Sequence, residues 1–344
     1  MRRAIVLGGT GVLGRAVARR LVAAGWQVDL TGRDPARLPA DLAAAGVRHH
    51  VADRSDAAAT AGLVGDGADL LVDCLCFTAA DARGLLPMLG DVGSTVMVSS
   101  KAVYVDDEGN HVNSPVKPRF TGPVREDQPT VPPDESGAYD SAAGYGANKV
   151  AAERVFLDSD RPVTVVRASK VHGEGAVPAR EWVFVRRVLD GRRTLLLADS
   201  GRGVDHPTAA VNLAALVETV ADRPGTRVLN SADPDAPSAR AIARAVADHL
   251  GHSWDEVLLD RSAPTGLGRT PWSASSPIVL DLSAAEALGY RPAGGYVETV
   301  RETVDWLVRT AQEQRTLQHE YFDGSFDYAA EDAFLAGTAL DPDQ

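Results

Sequence analysis

A seven-residue stretch, Gly8-Gly9-Thr10-Gly11-Val12-Leu13-Gly14, joins an apolar run that reads as a strand, Arg2–Leu7, to a helical pattern over Val12–Ala24. Glycines at 8, 11 and 14 each meet a separate demand. The first allows a tight turn, the second lets a pyrophosphate approach bare backbone, and the third lets the helix pack close to the sheet. The helix N-terminus then offers free N–H groups and partial positive charge to a phosphate. Gly8, Thr10, Gly11, Val12, Leu13 and Gly14 are therefore the expected dinucleotide contacts.

Short apolar runs continue to alternate with helical patterns. Gln27–Thr31, Val47–Val51, Leu70–Phe77 and Thr95–Ser100 read as strands, and Pro35–Ala45 and Ala79–Leu89 as helices. Such βαβ alternation implies an α/β, Rossmann-type, doubly wound parallel sheet. Residues 105–143 break the pattern with Pro115, Pro118, Pro123, Pro129, Pro132 and Pro133, and read as a long, partly ordered loop. Loops of that length are usually functional or disordered. Gly144–Asp158 resumes a helix and Val163–Arg167 a strand. Later helices are expected at Arg180–Leu189, Ala209–Ala221, Ala239–Leu250 and Tyr296–Glu313. The expected organisation is a dinucleotide-binding domain over residues 1–168, a smaller substrate lobe over 169–316 with segments returning to the first domain, and a tail over 317–344. That tail has seven acidic residues, no Lys or Arg, and five aromatics, so it reads either as flexible or as a docked arm.

The end of the second strand selects the cofactor. An acidic residue there binds the ribose 2′-OH of NAD. This chain has Gly32 and Arg33, which leave room for a 2′-phosphate and a bidentate partner for it. NADP is favoured, with NAD as the alternative. Asp53, after the third strand, is a candidate for the adenine amino group, or else a turn or N-cap residue.

Tyr145 and Lys149 stand four apart, on one face of the expected helix. Ser100 ends the fifth strand, at the carboxyl edge where open α/β sheets bind ligands. Moving a Tyr from about 10 toward neutrality takes about 4 kcal/mol. One positive charge at ~4 Å supplies about that much at an effective dielectric of ~20. Lys149 with an oxidised nicotinamide would thus hold Tyr145 partly ionised. Tyr145 would then exchange a proton with a substrate oxygen that Ser100 orients.

Charge and cysteines limit the function classes. A net charge of −12 disfavours a nucleic-acid partner. Cys74 and Cys76 are the only cysteines and are placed too close together on a strand for a good disulfide. No run is long enough to span a membrane, and a cytoplasmic protein is expected. Only four residues are lysines: Lys101, Lys117, Lys149 and Lys170. Lys170 is a candidate ligand for a carboxylate or phosphate, while Lys101, on an extended backbone next to Ser100, is expected to point to the other face. His172 reads as a second acid/base or as a structural residue. The histidines show no metal spacing, so no metal site is expected.

Taken together, Gly8–Gly14, Ser99-Ser100-Lys101-Ala102-Val103-Tyr104, Tyr145–Lys149, Arg167–Gly173, Asp205–Ala214 and Leu288-Gly289-Tyr290-Arg291-Pro292 resemble the extended short-chain dehydrogenases/reductases, in their NAD-dependent epimerase/dehydratase branch. The resemblance covers roughly residues 1–310. It implies hydride transfer on a polar small molecule such as a nucleotide sugar, a cofactor contact near Cys76, and a homodimer built on Ala79–Leu89 and Gly144–Asp158. Departures are informative. Lys101 and Ala102 replace the Asp-Glu pair of nucleotide-sugar dehydratases. Lys170 replaces an Asn that contacts the sugar nucleotide in epimerases. Cys74–Phe77 replaces a small-residue stretch near the cofactor. The competing reading is a non-catalytic dinucleotide sensor, which has no need of a Ser–Tyr–Lys set.

Overall fold

Strand β1 (Arg3–Leu7) lies inside the sheet, with Ala4, Ile5, Val6 and Leu7 fully buried, as its unbroken apolar run requires. The computed structural model describes residues 1–54, 56–65, 67–260, 263–264, 266–315 and 317–338. After β1 come α1 (Val12–Ala23), β2 (Gln27–Gly32), α2 (Ala40–Ala44), β3 (Arg48–Val51), α3 (Ala57–Val64) and β4 (Ala68–Asp73). Next are α4 (Ala79–Leu85), β5 (Val92–Ser100), α5 (Ala142–Leu157) and β6 (Val163–Ala168). The later chain supplies β7 (Lys170–His172), α6 (Trp182–Leu189), β8 (Thr194–Leu197), β9 (Pro207–Ala209), α7 (Ala210–Ala221) and β10 (Arg227–Ser231). It closes with α8 (Ala239–His249), β11 (Asp255–Leu258), α9 (Ser283–Ala287), α10 (Tyr296–Gln312) and α11 (Tyr328–Thr338).

The main sheet has seven parallel strands in the order β10-β6-β5-β4-β1-β2-β3. Chain direction across the sheet reverses between β1 and β4, which opens a crevice at their carboxyl ends. Helix α1 buries Gly14, Val17, Ala18 and Leu21, one face at helical spacing, and packs with α7 on one side of the sheet. Ala82, Leu85, Ala152 and Phe156 of α4 and α5 pack on the other. Helices α6, α8 and α10 form a second core around Phe184, Val246, Trp272 and Leu307. From the later chain, β10 extends the sheet beside β6.

Three local expectations are corrected. The helix over Pro35–Ala45 splits into a 3₁₀ turn, Pro35–Arg37, and α2, with Pro39 between them. The helix over Ala79–Leu89 stops at Leu85, and a 3₁₀ turn containing Pro87 follows. Strand β4 ends at Asp73, whose carboxylate accepts the Leu75 N–H at 2.9 Å and pairs with Arg54 at 2.7 Å. Cys74 through Phe77 therefore form a loop rather than strand.

The 105–143 segment is irregular but tied down. Val131 N–H reaches Val103 O at 2.8 Å, and Val124 N–H reaches Val279 O at 2.8 Å. The Asp106 carboxylate gathers the N–H groups of Glu108, Asn110 and Arg119. The tail is docked as far as it is described, with Phe322 buried in the second core. Its last residues, 339–344, lie outside the described residues. No helix among the described residues is long and apolar enough to cross a membrane, and none of their His, Cys, Asp and Glu side chains group as a metal site.

Candidate active site

The glycine turn is closely fitted. Gly8 has φ +78°, a left-handed value suited to glycine. A Cβ on Gly14 would lie 2.5 Å from both Gly8 O and Gly9 Cα, so α1 presses directly on the turn. Gly9, which sequence reasoning passed over, is equally constrained, because a Cβ there would sit 2.3 Å from Leu30 Cβ. Gly11 caps α1 in an extended conformation with no side-chain hydrogen bond to the helix start. A Cβ on Gly11 would meet only Gly8 O, at 3.4 Å, so that side of the turn is bare backbone. These features fit a dinucleotide pyrophosphate held by the first turn of α1, at Val12 and Leu13. Thr10 is buried and turns its carbonyl to Arg15 Nε at 2.9 Å.

At the end of β2, Asp34 caps the following 3₁₀ turn through Ala36 N–H at 2.9 Å. Arg33 and Arg37 are exposed there. His49 of β3 reaches the same corner. Its Nε2 would lie 2.9 Å from a Cβ on Gly32, and it is buried without a hydrogen-bond partner among the described residues. Burial, with some help from neighbouring His50, lowers the His49 pKa, so the ring favours its neutral form. Asp53 is exposed beyond β3. Cys76 is buried, its thiol 3.9 Å from Thr78 O, and it turns its carbonyl inward. Leu75, which sequence reasoning missed, is the loop side chain that packs on Gly8.

Ser100 and Tyr145 share a cleft of ≈ 750 Å³ that Val12, the first residue of α1, also lines. Two glycines position Tyr145. A Cβ on Gly144 would strike Ala138 O at 2.0 Å, and one on Gly146 would strike Ala102 O at 2.5 Å. Without side chains at those positions, α5 seats Tyr145 beside the Ser100–Ala102 turn. Ser100 Oγ accepts Ala102 N–H at 3.1 Å, which bends the chain into a 3₁₀ turn, Lys101–Val103. Behind it, buried Glu153 accepts from Ser99 Oγ and pairs with Arg167 at 2.6 Å. Arg167 in turn lies over the Tyr104 ring.

Lys149 is buried on α5, one turn beyond Tyr145. Its ammonium donates to Cys76 O at 2.7 Å and Val98 O at 3.0 Å, and stands 4.2 Å from the Phe77 ring centre. Phe77 also stacks on Tyr139 at 5.0 Å and lies 6.5 Å, centre to centre, from Tyr145. The Cys74–Phe77 loop puts an aromatic ring and a carbonyl in the lysine's reach. No hydrogen bond joins Lys149 to Tyr145.

Lys101 does not point to the other face from Ser100. The 3₁₀ turn after Ser100 ends the extended geometry and brings Lys101 into the cleft, where it pairs with Asp205. Lys170 holds the other Asp205 oxygen at 2.9 Å. Burial, then the Arg180 cation, push Lys170 down to about 7, while the Glu181 carboxylate favours its charged form. Burial and the Lys170 and Arg180 cations likewise push Lys101 down. Lys117 also lines the cleft. His172 is not brought there. It is fully buried, with Nε2 2.9 Å from Asp233 Oδ2 and the ring tilted against Tyr296. Burial opposes its charge, but Asp233, with Glu181 and Glu302 beyond it, raises its pKa.

The sheet order, the glycine turn at the crevice and a hydroxyl-lined cleft beyond it define a Rossmann-type dinucleotide-binding enzyme. The family model for the NAD dependent epimerase/dehydratase family matches residues 4–206, more than half of the chain. The chain belongs to that family. No curated protein matches the chain in sequence. Among solved structures, it is similar to UDP-glucose-4-epimerase from Stenotrophomonas maltophila with bound NAD and formylated UDP-arabinopyranose, at 16% identity and TM-score 0.70. That likeness covers 91% of this chain and 100% of the other. It is also similar to DesIV, a dTDP-glucose 4,6-dehydratase from Streptomyces venezuelae, at 22% identity and TM-score 0.66, over 92% of this chain and 100% of that one. A third is dTDP-glucose 4,6-dehydratase from Bacillus anthracis in complex with NAD, at 14% identity and TM-score 0.67, over 91% and 98%. The family is NAD dependent, and the NADP preference expected from Arg33 finds no support in it.

Proposed function

We propose that this chain is a nicotinamide-dependent oxidoreductase or epimerase acting at a carbinol or carbonyl carbon of an anionic small molecule, such as a nucleotide sugar. One observation carries this reading: Tyr145 and Ser100 line the same cleft as Lys101, Lys117 and Lys170. Bound nicotinamide supplies the hydride acceptor or donor. Tyr145 exchanges a proton with the substrate oxygen. Ser100 Oγ already accepts Ala102 N–H, so its own hydrogen is available to orient that oxygen. Lys101 and Lys170 hold the substrate's negative group. Lys149, bound to two carbonyls, fixes the β4 loop against β5 and contributes positive charge from behind Phe77.

Arg33, Arg37 and the unpartnered His49 Nε2 support recognition of a 2′-phosphate, with NAD as the alternative cofactor. A homodimer through α4 and α5 is part of the same reading. It is checked by sedimentation of the purified chain, which is expected to show twice the monomer mass.

The test is a panel of hydroxy and keto compounds, with and without a carboxylate or phosphate, incubated with protein and each nicotinamide cofactor. Cofactor oxidation or reduction, or isomer interconversion, is expected with anionic members. Turnover confined to neutral members contradicts the reading. The other reading is a dinucleotide sensor without chemistry, which the panel identifies by cofactor binding with no turnover at all.

A further inference from the structure

The acidic tail is built into the molecule at one end of the cleft. Arg187 of α6 and Glu331 of α11 form a buried pair at 2.6 Å, and Arg192 meets Asp332 at 3.0 Å. Arg187 also lies over the rings of Phe326 and Tyr328. Phe322 fills the second core, and His319 Nδ1 accepts Tyr321 N–H at 3.0 Å to shape the turn between them. Two of the tail's carboxylates, Glu331 and Asp332, are thus paired with arginines that do not line the cleft. What the tail presents to the cleft is a ring, Tyr321, which lies over the Arg180 guanidinium at 5.5 Å. Arg180 stands just before α6, the same helix whose far end grips the tail through Arg187. Its Nε is buried with no hydrogen-bond partner among the described residues. An aromatic wall holds a cation without neutralising it, whereas a carboxylate there would compete with a bound anion.

We propose that the tail is a working wall of the substrate cleft, in which Tyr321 holds Arg180 toward the Lys101–Asp205–Lys170 cluster and so sets affinity for the substrate's anionic group. This rests on the anionic-substrate reading above. Tyr321 is a specificity-determining residue, and Arg180 a direct ligand of the anion.

Inorganic pyrophosphate, titrated calorimetrically into the full chain saturated with cofactor, tests it. The wild-type chain is expected to bind it. Tyr321→Ala is expected to weaken binding about tenfold, Tyr321→Phe to restore it, and Arg180→Gln to weaken it at least as much as Tyr321→Ala. Cofactor affinity and melting temperature serve as controls and should stay within about twofold and a few degrees in all three. Loss of binding in Arg180→Gln but not in Tyr321→Ala overturns the role of the tail and leaves the anionic cleft standing. Equal weakening in Tyr321→Ala and Tyr321→Phe also overturns it, because the ring then does nothing. No pyrophosphate binding to the wild-type chain overturns the anionic cleft itself, and this inference with it.

Discussion

Lys170 places its ammonium 2.9 Å from Asp205 Oδ2, inside a buried cleft where a second lysine, Lys101, takes the same carboxylate. Two lysines thus share one carboxylate, and the Arg180 guanidinium acts on both. In a chain of net charge −12, this is a local excess of basic groups.

The first prediction concerns pH. Burial, then Arg180, push Lys170 down to about 7, so it is charged below that value and releases its proton as pH rises through it. Anion affinity should therefore fall as pH rises from about 6 to 8.5, by up to about tenfold per unit above the inflection. Sulfate, whose charge is constant over this range, is a suitable probe. Lys170→Arg, which stays charged, should flatten the profile. An unchanged profile in that variant contradicts the assignment.

Two glycine replacements should act in opposite directions. Gly14→Ala gains helix propensity but drives a Cβ to within 2.5 Å of the Gly8–Gly9 backbone. The clash wins, with an expected loss of about 1–3 kcal/mol and at least tenfold weaker cofactor binding. Gly62, in α3, has nothing within 4 Å of an added Cβ. Gly62→Ala should stabilise by up to about 1 kcal/mol. Urea unfolding and cofactor titration measure both.

Breaking the pair behind Ser99 should be costly. Glu153 is 1% exposed and Arg167 5%. Glu153→Gln leaves a buried guanidinium without its counter-charge, for about 3–5 kcal/mol of lost stability. Denaturant midpoints of the variant and the wild-type chain check this.

The 2′-phosphate reading of Arg33 makes a separable prediction. Arg33→Ser should weaken NADPH binding about tenfold and leave NADH binding within about twofold, since a 2′-phosphate contact is lost and a hydroxyl contact is not. Equal effects on both would remove Arg33 from the cofactor site.

Much of this was legible in the sequence where the cause is local. The strand–turn–helix at Gly8–Gly14 depends on neighbours in the chain, and so do the alternating runs from β1 to β6. Local reading failed where one side chain redirected the backbone. Asp73 ended β4 early, Pro39 and Pro87 divided helices, and Ser100 bent Lys101 into the cleft. The lysines marked the site because they are rare, but not their partner. Asp205 meets Lys101 and Lys170 only after the chain has folded, as Arg187 meets Glu331 in the tail. Phe77 over Lys149 was equally hidden, since nothing in its spacing shows which way the loop turns.

The most direct test of the central claim is single-turnover hydride transfer with Tyr145→Phe, read as nicotinamide absorbance against an active anionic substrate from the panel. The variant should bind cofactor within about twofold of wild type and transfer hydride at least 100-fold more slowly, the lower range of a lost acid/base group. Hydride transfer at the wild-type rate in Tyr145→Phe would contradict the account.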